Sequence, residues 1–218
     1  MDRKVVIIGA GDHGRSVLEI LREGSRTGPR HDVIGFLDDS PEKESGVVDG
    51  YPVLGGLEWI RGSERSNLVF VIAIAHPQSK KRIVQQIEAF GLSFMSVVHP
   101  SVILAGGVHI EPGAIVNAGV VVAYETTIEA HSTVNLNATV GHNCRVGRYS
   151  TIAPGANIAG RVTVGAGCDV GLNASVAKGV TLGDWSSIGI GSVVIRDVAA
   201  GQQVFGNPAR AVVSHVHA

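Results

Sequence analysis

From Leu104 onward an aliphatic residue returns at every sixth position: Ile110, Val116, Val122, Ile128, Val134, Val140, Val146, Ile152, Ile158, Val164, Val170, Val176, Leu182, Ile188 and Val194. Two positions before each stands a small or β-branched residue, among them Ala114, Ser132, Ala138, Cys144, Ser150, Ala156, Cys168, Ala174 and Ser186. Six is a multiple of the two-residue strand period, so the marked side chains share one face, and strands this short need a turn in each repeat. Pro112-Gly113 and Pro154-Gly155 fall two and three residues after a marked aliphatic. There the fixed φ of proline and the access of glycine to positive φ suit a bend. Self-similarity at this period predicts a parallel β-helix whose coils bury a continuous aliphatic column.

The first half follows a different pattern. Lys4–Gly9 reads as a buried parallel strand, followed by the loop Gly9-Ala10-Gly11-Asp12-His13-Gly14 and a helical stretch over Arg15–Glu23. A loop of this kind lets backbone amides approach a pyrophosphate at a helix N-terminus, where the dipole favours an anion. It also serves as a plain tight turn. A second strand, Val33–Leu37, ends in Asp38-Asp39, whose carboxylates suit ribose or base hydroxyl and amide donors. Further strands are expected near 68–75 and 93–98 and a helix near 79–90. Only about 95 residues precede the repeat, enough for a mononucleotide-type half rather than a full dinucleotide fold. The boundaries expected are 1–98 for an α/β domain and 99–218 for the β-helix with a C-terminal cap.

Composition narrows the function. A formal charge of −1 without a Lys/Arg block argues against nucleic acid or a membrane surface as partner. The first ten residues carry no signal-peptide pattern, and no apolar run approaches 18 residues, so a soluble cytoplasmic protein is expected. Cys144 and Cys168 have no CxxC spacing and are expected to pack as small apolar residues.

The two halves together resemble the hexapeptide-repeat sugar acetyltransferases, sialic-acid O-acetyltransferase-like and acting on nucleotide-linked amino sugars. The markers are GAGDHG at 9–14, FLDD at 36–39, HPS at 99–101, VGHNC at 140–144 and GNPAR at 206–210. The resemblance implies an α/β Rossmann-like half-domain followed by an all-β left-handed parallel β-helix of about five coils. With 18 residues per coil, Leu104, Val122, Val140, Ile158, Val176 and Val194 stack on one side. It also implies acetyl-coenzyme A as co-substrate; a homotrimer is expected because a short isolated prism offers corners but no deep cleft, and no metal is expected. Contacts to the nucleotide-sugar are implied for Gly11, Asp12, His13, Asp38, Asp39 and Ala75, the last usually a glycine in that family. Coenzyme A contacts are implied near Thr151, Leu172 and Ile190, with Arg210 near the adenine end as a candidate phosphate contact. The segment 206–210 also suits a simple cap on the open end of the helix.

Acetyl transfer to an amine needs a base for the nucleophile's proton and donors for the thioester oxyanion. Histidine is the natural base near neutrality. His142 falls two residues after Val140, on the corner that Pro112 and Pro154 occupy elsewhere, and so projects outward; the family motif places the base there too. Tyr124 and Gly160 are its counterparts one coil away. Gly160 is expected to leave room for the acyl group. The residue after the base is usually acidic in the family, whereas here it is Asn143, which accepts a hydrogen bond without bringing charge. A zinc site from His109, His131 and His142 is disfavoured by their unequal offsets in the hexapeptide frame. N-acetylation of an amino sugar is the leading expectation; O-acetylation and a non-catalytic sugar-nucleotide-binding trimer are the alternatives.

Overall fold

The fold is that of a computed structural model, which describes residues 3–28, 31–40, 46–62 and 67–212. The chain divides into two compact units, Met1–Pro100 and Ser101–Ala218.

In the first unit, β1 (Lys4–Ile8) and α1 (Asp12–Thr27) are followed by β2 (Asp32–Leu37), β5 (Leu68–Ile72), α3 (Pro77–Glu88) and β6 (Ser93–Phe94). These strands form a parallel sheet in the order β2-β1-β5-β6. Apolar runs on the central strands are buried throughout: Val5–Ile8 and Leu68–Ile72 are nearly inaccessible, as are Val17, Leu18 and Leu21 of α1 and Val84 and Ile87 of α3. This is the expected signature of strands covered on both faces. Between β2 and β5 lie a small hairpin, β3 (Val47–Val48) with β4 (Tyr51–Pro52), and the one-turn helix α2 (Trp59–Gly62). Neither has enough length to show a period in the sequence.

The largest departure from expectation here is α1, which starts at Asp12 rather than Arg15, so His13 and Gly14 belong to its first turn. Gly14 permits this, because a Cβ there would come within 1.9 Å of the Gly9 carbonyl oxygen. Helix and strand therefore approach more closely than any side chain would allow. The segment near 93–98 also splits into two short strands, Ser93–Phe94 and Val97–Val98.

The second unit is a parallel β-solenoid of two-residue strands, repeating every six residues. Leu104, Val122, Val140, Ile158, Val176 and Val194 pair in direct register, so this face has six rungs rather than about five. Ile110, Ile128, Val146, Val164 and Leu182 form the second column. Val116, Val134, Ile152, Val170 and Ile188 form the third, continued by Gln203–Phe205 and closed by the antiparallel strand Arg210–Ala211. Nearly all of these side chains, with the small residues two positions earlier, form one buried cluster. Each fully buried Val, Leu or Ile contributes about 1.5–3 kcal/mol, so the column is the main source of stability.

Turn geometry repeats as strictly as the core. The residue three after each aliphatic has positive φ, from Gly107 through Glu125, His131, Asn143 and Trp185 to Gly191. Glycine, asparagine and histidine occupy most of these positions, and they are the residues that tolerate the left-handed region best.

The buried cysteines differ from expectation. Both are enclosed, but each thiol also bonds across coils: Cys144 Sγ donates to Ala159 O at 3.1 Å, and Cys168 Sγ to Gly183 O at 3.2 Å. Burial raises both thiol pKa values, so they remain protonated donors.

Candidate functional site

His142 stands at the second position of a solenoid turn, between Gly141 and the positive-φ Asn143. The turn is ordered by its neighbours above and below. Asn143 N donates to Tyr124 O at 3.0 Å, and Arg161 N donates to His142 O at 2.7 Å. Tyr124 and His142 stack in parallel, with ring centroids 5.1 Å apart and planes inclined by 11°. On the other side lies Gly160, where an added Cβ would be 2.5 Å from His142 Nε2 and 2.7 Å from Cδ2. The imidazole edge thus lies over Gly160, in space that a side chain at that position would take.

His142 Nδ1 lies 2.8 Å from Asn143 Oδ1. The amide oxygen can only accept, so this contact places the ring proton on Nδ1 and leaves the Nε2 lone pair available. That is the tautomer a general base requires. The arrangement supplies orientation without a charge to accompany it.

The other solenoid residues singled out in the sequence lie elsewhere. Thr151 is an outward strand position and is nearly buried. Leu172 and Ile190 are exposed and stack one coil apart on a different corner, where Gly191 N donates to Leu172 O at 2.8 Å. Arg210 is exposed on the closing strand, and its guanidinium donates to Ala209 O. Two corners of one prism are separated by a side of the triangle, roughly 15–20 Å for a hexapeptide of extended chain. His142 and the Leu172–Ile190 pair are therefore not brought together within one chain. Of the other histidines, His109 is on a strand and His131 stacks on Tyr149 at another corner. His99 pairs with Glu23 at 2.8 Å.

The α/β unit has a separate cleft at the C-terminal ends of its parallel strands. A cavity of about 370 Å³ is lined by Ile8, Gly9, Asp38, Asp39, Ser79 and Arg82, with Leu37, Leu57, Ile74 and Ile83 as apolar walls. Strand ends of open α/β sheets are where ligands bind, and α1 starts there with Gly11 as N-cap and Asp12 in its first turn. Ser79, Arg82 and Ile83 come from α3 and were not singled out in the sequence. Only the parallel crossover, which carries α3 back over the sheet, brings them to Asp39.

Asp38 is largely a brace. Its Oδ2 accepts from Ala10 N at 2.8 Å, and its Oδ1 from Ser40 N at 3.0 Å, holding the glycine loop to the end of β2. Asp39 Oδ1 accepts from Leu57 N at 3.0 Å. Ala75 is exposed beyond β5. His13 is tucked inward: burial first, and the nearby Lys80 charge second, push its pKa down to about 4. Among the described residues, its buried Nε2 has no hydrogen-bond partner. Lys80 itself is 1% exposed.

Comparison with known proteins links both units to one family. A family model described as the PglD N-terminal domain matches residues 4–87. A curated relative, UDP-N-acetylbacillosamine N-acetyltransferase of Bacillus subtilis (strain 168), is 28% identical over 123 residues. That alignment covers 52% of this chain and 51% of the relative, so the chain matches about half the length of this curated protein. Solved structures match over nearly the whole length. The acetyltransferase domain of PglB from Neisseria gonorrhoeae FA1090 superposes with a TM-score of 0.88 at 29% identity, covering 97% of this chain and 100% of that one. The same domain has been solved in complex with acetyl coenzyme A. PerB from Caulobacter crescentus, in complex with CoA and GDP-perosamine, has a TM-score of 0.88 at 30% identity, covering 96% and 97% of the two chains. With both the α/β unit and the solenoid matched at this level, the chain belongs to the nucleotide-amino-sugar N-acetyltransferase family that includes PglB and PerB.

Proposed function

We propose that this chain transfers the acetyl group of acetyl-coenzyme A to an amino group on a nucleotide-linked sugar, with His142 as general base. The observation that carries this reading is the Nδ1 contact to Asn143 Oδ1 at 2.8 Å, with Nε2 over the side-chain-free Gly160. As the amine nitrogen attacks the thioester carbonyl, a C–N bond forms and the C–S bond breaks. His142 Nε2 takes the amine proton, and the departing thiolate is protonated to give free coenzyme A. Thioester aminolysis of this kind asks for no metal. The curated Bacillus subtilis relative is named an N-acetyltransferase, which favours an amine over a hydroxyl as acceptor.

The nucleotide is assigned to the strand-end cleft, with Gly11, Asp12, His13 and Asp39 as contacts and Asp38 acting mainly by holding the loop. Ala75 lies beside that cleft's β5 edge in sequence. Coenzyme A is assigned to Thr151, Gly160, Leu172, Ile190 and Arg210. Because the His142 corner and the Leu172–Ile190 corner are a side of the prism apart, a complete site needs two copies. We therefore propose a homotrimer with sites between neighbours. Among the described residues no helix is long and apolar enough to cross a membrane; activity in the cytoplasm, where acetyl-coenzyme A is made, is part of this proposal.

The test is thiol release from acetyl-coenzyme A with UDP-, GDP- and dTDP-linked amino sugars and their hydroxyl counterparts. Release is expected with one amino sugar and to fall on the order of 10²–10⁴-fold in His142→Ala. Sugar-nucleotide binding by calorimetry without any thiol release would identify a binding protein instead. Sedimentation of a fully active monomer would remove the shared site.

A further inference from the structure

We infer that Thr126 is a positioning residue for His142, holding the turn that presents the imidazole from the coil below. The inference rests on the assignment of His142 as the base. Thr126 is fully buried at the small-residue position of its repeat. Its hydroxyl donates to Gly141 O at 2.7 Å and accepts from Cys144 N at 3.1 Å. Those two groups are the first carbonyl and the last amide of the segment Gly141-His142-Asn143-Cys144. Among the described residues neither has another hydrogen-bond partner. One hydroxyl thus closes both ends of the catalytic turn. Valine would occupy the same volume and leave a buried carbonyl and a buried amide unsatisfied.

The upper side of the turn is closed as tightly. A Cβ at Gly141 would come within 2.5 Å of Gly160 N. Cys144 Sγ donates to Ala159 O and accepts from Val162 N at 3.4 Å, tying on the next coil. His142 therefore rides on a turn held between two coils, and near-attack geometry is sensitive to displacements on the scale of 1 Å.

The fold contains its own control. Ser150 is equally buried at the equivalent place in the next column, donating to Gly165 O at 2.7 Å and accepting from Cys168 N at 2.9 Å. The turn it closes, Gly165-Ala166-Gly167-Cys168, carries no histidine. Thr126 and Ser150 make the same bonds, and only one of them sits under the base.

The experiment compares Thr126→Val, Thr126→Ser, Ser150→Ala and His142→Ala by steady-state kinetics, with thermal unfolding as a check on folding. Thr126→Val is expected to lower kcat about 10-fold with both KM values within about twofold. Thr126→Ser, which keeps the hydroxyl, is expected to restore kcat, and Ser150→Ala to lose stability while keeping kcat. If Thr126→Val does not fold, Thr126→Ala removes the same bonds without a second methyl and is read in its place. Wild-type kcat in the hydroxyl-less variant beside an inactive His142→Ala would overturn the positioning role. An equal kcat loss in Ser150→Ala would overturn it too, by showing a general effect of the ladder. An active His142→Ala would instead remove the base assignment on which the inference rests.

Discussion

His142 lies against the close-packed Gly160 and His13 precedes the close-packed Gly14, yet their surroundings are opposed. His142 is half-exposed on a solenoid corner, its ring flat against Tyr124, with Nδ1 held by Asn143. His13 is in the first turn of a helix pressed onto a sheet, where burial and Lys80 disfavour its charged form and Nε2 has no partner among the described residues. The difference follows from the two architectures. A β-solenoid buries alternate strand residues and turns the rest outward, so a polar residue placed on a corner meets solvent and incoming ligand. A parallel sheet covered by helices offers open ground mainly at its strand ends, and residues near the helix start are drawn toward the core. A solenoid turn thus leaves its histidine open to solvent, while burial in the α/β unit disfavours the charged form of His13.

The largest effect expected from this contrast is on acid stability. The folded pKa of His13 is about 4, below the ordinary value of 6.5. Between those values the unfolded chain binds a proton that the folded unit refuses. Its contribution is therefore fully present above about pH 6.5 and lost as pH falls toward 4, up to about 3 kcal/mol. Denaturant melts at neutral pH and at pH 4.5 should show His13→Leu losing less stability than the wild type. Equal losses would mean that His13 is protonated without opening the unit, and the contrast between the two histidines would weaken.

Gly160→Ala is the next test. Its Cβ must displace the His142 ring, since it would otherwise lie 2.5 Å from Nε2. A fall in kcat on the order of 10-fold or more is expected, with an unchanged unfolding temperature because the clash is with a side chain and not with the core. A fully active variant would show that the imidazole has a second productive position.

Asn143→Asp should give the smallest change, and the most specific one. Aspartate tolerates the same positive φ, so the turn should persist. Its charge would stabilise the imidazolium, moving the acidic limb of the pH–kcat/KM profile to higher pH, with a few-fold change in rate. An unmoved limb would mean that position 143 does not reach the titrating group. The pH profile of His142→Ala separates that outcome from a different base.

The solenoid was legible because its information is local. Each hexapeptide states its own buried aliphatic and its own turn, and the 18-residue register follows by repetition, as the pairing of Val140 with Val122 and Ile158 confirms. His142 could be placed on a corner by counting alone. The α/β unit yielded its central strands, since continuous apolar runs such as Val5–Ile8 leave little choice, but not the start of α1, the hairpin at Val47–Pro52 or helix α2. Those depend on close approach between distant segments, and residues that meet only after folding leave no periodic trace.

The same division holds at the candidate site. The sequence by itself determined the repeat, the parallel solenoid, the outward place of His142 between Tyr124 and Gly160, and the presence of a glycine-rich strand-to-helix turn. Spacing along one strand and one turn is enough to settle these, because side-chain direction there is a matter of parity. Tertiary structure alone decided that Asp38 braces Ala10 and Ser40, that Ser79 and Arg82 line one cavity with Asp39, and that the Thr126 hydroxyl closes the turn of His142. Each of these joins groups from different strands, coils or helices. Hydrogen-bond partners of buried groups are chosen by which backbone atoms the packing leaves unsatisfied, and that is known only once every neighbour is in place.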